Sequence, residues 1–97
     1  MKRTHLMAID AGGGGAHCLL VDAATGAVTR ALQRWRHPVA PGTGGLGSDL
    51  DPGAVREAVS SAARDAVARA GVSPAQIAGV AVTGIRHTTV VLGDGGE

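Results

Sequence analysis

Apolar positions fall into short runs of consecutive residues near both ends of the chain and into one stripe of helical period in the middle. Leu6-Met7-Ala8-Ile9 is apolar at successive positions, so both faces of a strand would be covered, and Asp10 closes it. Residues 17–22 repeat the pattern. Ala23-Ala24-Thr25-Gly26 is a turn signal, and a third strand is expected from about Ala27 to Arg36. Short connections between three strands predict an antiparallel meander. Arg30, Arg34 and Arg36 mark the third as a protected edge strand.

The stretch from His37 to Ser48 is rich in Gly and Pro and reads as a long loop without packed structure of its own. Trp35 and the basic residues at its base either line a ligand cleft or are a core aromatic flanked by solvated arginines. Asp51 as N-cap, Pro52 at the first helical position and Gly71 as left-handed C-cap bound one helix. Its apolar stripe is Val55, Ala58, Val59, Ala62, Ala66, Val67 and Ala70; Arg56, Glu57, Ser60, Arg64, Asp65 and Arg69 face water. Asp65 and Arg69 are spaced for an i,i+4 ion pair.

Ser73-Pro74-Ala75-Gln76 is a capping box opening one further turn. Gly79-Val80-Ala81-Val82-Thr83 follows as a fourth, buried strand, parallel to one already in the sheet because a helix intervenes. Thr88 to Leu92 is a fifth, and Gly93-Asp94-Gly95-Gly96 a hairpin turn. No strand returns from that turn before Glu97, which leads us to expect a piece of a longer protein.

Composition narrows the class. With 97 residues there is room for one domain at most. The 44% of apolar residues are mostly Ala and Val, with Trp35 the single aromatic, so the core must be made of small side chains. A formal charge of +1, with dispersed charges, lacks the basic footprint of nucleic-acid binding. The lone Cys18 lies in an apolar run, which argues for a buried small hydrophobe and against a disulfide or a Cys-based zinc site. The basic N-terminus is followed by an apolar segment too short for a signal peptide or membrane span, and a cytoplasmic protein is expected.

The chemistry concentrates at Asp10-Ala11-Gly12-Gly13-Gly14-Gly15-Ala16-His17. Successive glycines permit positive φ and bring backbone N–H groups to phosphate oxygens. Asp10 at the strand end would hold a hydrated Mg²⁺, which favours carboxylate with phosphate ligation. The same residues also suit a flexible β-hairpin that binds nothing. Neither a Walker A loop nor a dinucleotide fingerprint is present, since no Gly-Lys-Ser/Thr follows and a strand stands where a helix is needed.

Strand, Gly-rich turn, strand, turn, strand, helix, strand resembles the start of the α/β ribonuclease-H-like superfamily of sugar kinases, heat-shock proteins and actin. Within it residues 1–97 resemble the N-terminal part of the first domain of the FGGY carbohydrate kinases, in pattern nearest the autoinducer-2 kinase and glycerol/xylulose kinase branches. Three places carry the resemblance. Ala8-Ile9-Asp10-Ala11-Gly12 is similar to the first phosphate motif, and Trp35-Arg36-His37 through Asp51-Pro52 to the segment leading into the first helix. Thr83-Gly84-Ile85-Arg86-His87-Thr88-Thr89-Val90-Val91 is similar to Thr-x-x-Arg-Glu-Thr-Thr-Val-Val, in which Arg and Glu hold substrate hydroxyls.

The resemblance implies an ATP-dependent kinase of a polyol or ketose with ATP and Mg²⁺ as cofactors. It puts Asp10, Gly12, Gly13, Gly14, Gly15 and His17 at the nucleotide, Asp10 at the metal through water, and Arg86 and His87 at the sugar. The family's catalytic base lies downstream of this stretch, so these residues alone would be inactive. The implied partner is a small sugar, neither nucleic acid nor membrane, and a homodimeric parent is compatible with it. Gly13, His17 and His87 depart from the family's Thr, Arg/Lys and Glu. Two alternatives stand beside this reading: an N-acetylglucosamine kinase-like member of the same superfamily, and a non-catalytic nucleotide-binding or assembly module.

Overall fold

A computed structural model of the chain describes residues 1–36, 38–39, 41–46, 50–84 and 94–95. Four strands form one mixed sheet: β1 (His5–Ala11), β2 (Gly15–Asp22), β3 (Val28–Arg34) and β4 (Ile77–Thr83), in the order β3-β2-β1-β4. β1, β2 and β3 form the expected antiparallel meander, and β4 lies parallel to β1. The helix α1 (Pro52–Ala70) provides the crossover, and a single 3₁₀ turn (Pro74–Gln76) leads into β4. The described residues thus form a small α/β unit.

Local chemistry fixes the connections. The Asp22 carboxylate accepts the N–H groups of Ala24 (2.9 Å) and Thr25 (3.3 Å), and Gly26 completes the β2–β3 turn at φ 75°. Asp51 caps α1 by accepting from Gly53 (2.9 Å) and Ala54 (3.3 Å), while Gly71, at φ 69°, donates to the carbonyls of Val67 and Ala68. The Ser73–Gln76 capping box is present, with Ser73 N–H on Gln76 Oε1 at 2.9 Å. On the wet side of α1, Arg69 pairs with Asp65 (3.1 Å) and also donates to the Arg30 carbonyl of β3 (3.1 Å).

Alternation sends Met7 and Ile9 of β1, Ala16, Cys18 and Leu20 of β2 and Ala31 of β3 to one face of the sheet, where the buried Ala62 and Ala66 of α1 meet them. The core is as poor in large side chains as composition requires, with Leu20 and Cys18 the largest that are fully buried. Absent bulk on α1 lets its backbone come close to the sheet.

Two expectations about burial are corrected. α1 lies over β2 and β3 and barely reaches β1. Among the described residues nothing covers the opposite face, so Leu6 of β1 is 49% exposed, and β1 is not covered on both sides. β4 is not a buried strand either: it forms the sheet edge beyond the helix, and Val80 and Val82 are 56% and 69% exposed. Their apolar side chains gave a burial signal that the helix does not answer. β3 is the edge strand that its arginines announced, two residues shorter than expected at its C-terminal end. Between β3 and α1 the described residues form successive turns, with Gly42, Gly44 and Gly45 at positive φ. Asp94 and Gly95 lie in a turn as expected; the fifth strand, Thr88 to Leu92, falls outside the described residues.

Two outcomes follow from this packing. Ala62→Leu forces bulk into a fully buried helix–sheet contact and should cost about 1–3 kcal/mol, read as a lower midpoint in thermal circular dichroism; an unchanged midpoint would mean the helix does not rest there. The second concerns acid. Hydrogen bonds from the backbone of Ala24, then Thr25, with the nearby His5 charge, lower the Asp22 carboxyl pKa below its ordinary value. A lowered folded-state pKa gives stability that is complete above the unfolded value of about 3.9 and is lost as pH falls through the folded value. Urea midpoints of Asp22→Asn should therefore decline less steeply than wild type below about pH 4.

Candidate functional site

The β1–β2 connection is a tight hairpin in which Gly12 N–H donates to Gly15 O at 3.0 Å and Gly13 and Gly14 form the tip. The expected use of its glycines is corrected in one respect. None of Gly12 to Gly15 adopts the positive φ found at Gly26, Gly42, Gly44, Gly45 and Gly71, so no cradle of left-handed backbone forms. The need for glycine is one of close approach and falls on Gly15. A Cβ there would stand 2.7 Å from Gln33 O and 3.2 Å from Arg34 Cα, whereas one on Gly13 or Gly14 would meet nothing within 4 Å.

β3 lies close because Trp35, just past its end, fastens it to the hairpin. The indole Nε1–H donates to Gly13 O at 3.2 Å, and the Trp35 backbone N–H to Gly14 O at 3.3 Å. Both cleft and core therefore enter the account of Trp35. It packs half-buried against the core, and with Arg34, Arg36, Glu57 and Ser61 it borders a groove of about 390 Å³ between β3 and α1.

Asp10 occupies the C-terminal end of β1, with His17 of β2 as its partner on one side and Thr83 of β4 on the other. Paired residues share a face, so all three side chains lie on the face opposite α1, and all are exposed. A Cβ built on Gly12 would sit 3.9 Å from Asp10 Oδ1, which locates the carboxylate at the neck of the hairpin. His17 is in turn paired with Leu32, and Gly15 with Arg34, extending this face onto β3.

Among the described residues no three carboxylate, imidazole or thiol groups gather to enclose a cation. One exposed carboxylate fits an ion that keeps most of its water and takes remaining ligands from a bound phosphate, as Mg²⁺ does. Cys18 is fully buried on the helix face, and burial pushes its thiol pKa up, so it stays protonated and inert. Arg86 and His87, expected to face a sugar, lie outside the described residues.

Sequence reasoning missed Thr83 as a neighbour of Asp10 and Trp35 as the clamp on the hairpin. A parallel fourth strand was legible, but its register was not. The Trp35 contact spans 22 positions and leaves no local signal. No protein-family model matches the chain, and no curated protein matches it. Among the described residues no helix is long and apolar enough to cross a membrane.

The close approach at Gly15 yields a paired expectation. Gly15→Ala must push β3 away and should lose about 1–3 kcal/mol, whereas Gly14→Ala, in open space and without positive φ, should be neutral or gain up to about 1 kcal/mol. Denaturant midpoints in the reverse order would overturn this packing.

Proposed function

We propose that this chain forms the nucleotide-phosphate side of an ATP-dependent carbohydrate kinase with a ribonuclease-H-like fold. The observation that carries the reading is the position of Asp10: an exposed carboxylate at the C-terminal end of an inner strand, at the neck of a glycine hairpin, on the face that the helix leaves open. The order β3-β2-β1-β4, with a meander and one parallel strand after a helical crossover, is compatible with that fold.

Asp10 would hold Mg²⁺ through water, and that ion, when bound with ATP, neutralises charge on the phosphates. Thr83 offers a hydroxyl and His17 an imidazole on either side of the carboxylate. Trp35 keeps the hairpin in place by bonding two of its carbonyls, so the site is preorganised rather than ordered on binding. Phosphoryl transfer depends on such positioning and on charge stabilisation, with a base to orient the accepting hydroxyl. The sugar, in this reading, is held by Arg86 and His87.

Trp35 is the single tryptophan of these 97 residues and touches the hairpin, so its fluorescence reports on occupancy. Addition of Mg-ATP to the full-length protein should change its fluorescence saturably, and Asp10→Ala should abolish both that response and ATP-dependent sugar phosphorylation. Retained turnover in Asp10→Ala would refute the role of Asp10; saturable binding without turnover of any sugar would favour the non-catalytic module.

A further inference from the structure

The open face that carries Asp10 needs positive charge if it is to receive a polyphosphate, and β1 supplies none there. Cations on this face come from β2 and β3. His17 sits beside Asp10. Arg30 is paired with Leu19, farther along the strands from the hairpin. Arg34 is paired with Gly15, at the hairpin itself, and brings a planar guanidinium with five N–H donors.

Three observations place Arg34 for a task. Alternation puts its Cβ on the same face as Leu32, His17 and Asp10, at a sheet edge where the residue also borders the groove beside α1. Its cross-strand partner is a glycine, and a Cβ built there would lie 3.2 Å from both Arg34 Cα and Leu32 Cδ1, so a side chain at position 15 would crowd this end of β3. The next residue, Trp35, is bonded through backbone and indole to Gly14 and Gly13, which fixes the register of Arg34 on the hairpin. Its charge is also uncommitted among the described residues: of the carboxylates on α1, Glu57 pairs with Arg64 and Asp65 with Arg69.

We infer that Arg34 is a phosphate-binding residue, reaching over Gly15 to hold the anionic oxygens of a polyphosphate at the hairpin. The inference rests on the reading of this face as a nucleotide site, but its chemistry requires only a polyphosphate. Arginine suits the task through paired N–H donors that match two phosphate oxygens.

Calorimetric titration of the full-length protein with inorganic tripolyphosphate and, separately, with Mg-ATP tests this. Wild type should bind tripolyphosphate, and Arg34→Gln should weaken it by about ten- to a hundredfold, the range for a lost charge-assisted hydrogen bond. Arg34→Lys should recover part of the loss, while Arg30→Gln should bind within about threefold of wild type. Arg34 is exposed at a sheet edge, so its replacement should leave the fold intact, as thermal midpoints will verify. No tripolyphosphate binding by wild type, or equal binding by Arg34→Gln, would overturn the assignment. Tripolyphosphate binding that depends on Arg34, without any binding of Mg-ATP, would uphold Arg34 and refute the nucleotide reading.

Discussion

The contact between the alanines of α1 and the small side chains of β2 and β3 is the constraint on which the other features depend. Burial here comes from many small approaches rather than from a few large side chains, so close packing must supply what hydrophobic area does not. A helix held that close covers two strands well and the others poorly. Hence one face of the sheet is packed while β4 and the opposite face stand open. The exposure of Asp10, His17 and Thr83 follows from this asymmetry.

A second closeness, at the other end of β2, sets up the candidate site. Gly15 lets β3 approach, Trp35 ties β3 to the hairpin tip, and the hairpin in turn brings its neck beside the Asp10 carboxylate. Each step depends on backbone geometry more than on charge. The glycines achieve this without unusual dihedral angles, through the absence of a Cβ where two strands press together.

Much of the fold was legible in the sequence because its signals are local. Asp51-Pro52 and Gly71 bounded the helix, the Ser73–Gln76 box opened the short turn, and Ala23 to Gly26 joined two strands, since caps and turns depend on neighbouring atoms. Burial was read less well. Val80 and Val82 carry the composition of an interior strand, but whether an apolar strand is covered depends on where a distant helix comes to rest. The site divides similarly. Asp10 at a strand end and the hairpin beside it could be read directly, while the alignment of Thr83 and Arg34 with it depends on strand register, which a single chain does not display.

The parallel pairing of β1 with β4 has a kinetic side. β1, β2 and β3 meet across short turns, whereas β4 must return to β1 over the whole length of the β3–α1 loop and the helix. Loop closure of that span brings its reward late, so the meander should assemble before its parallel edge docks. The last strand to arrive is also the least covered, and its amides should exchange with solvent by local opening well before those of β2. Because Thr83 stands on that strand, one flank of Asp10 belongs to the most readily opened part of the sheet while the other belongs to its firmest.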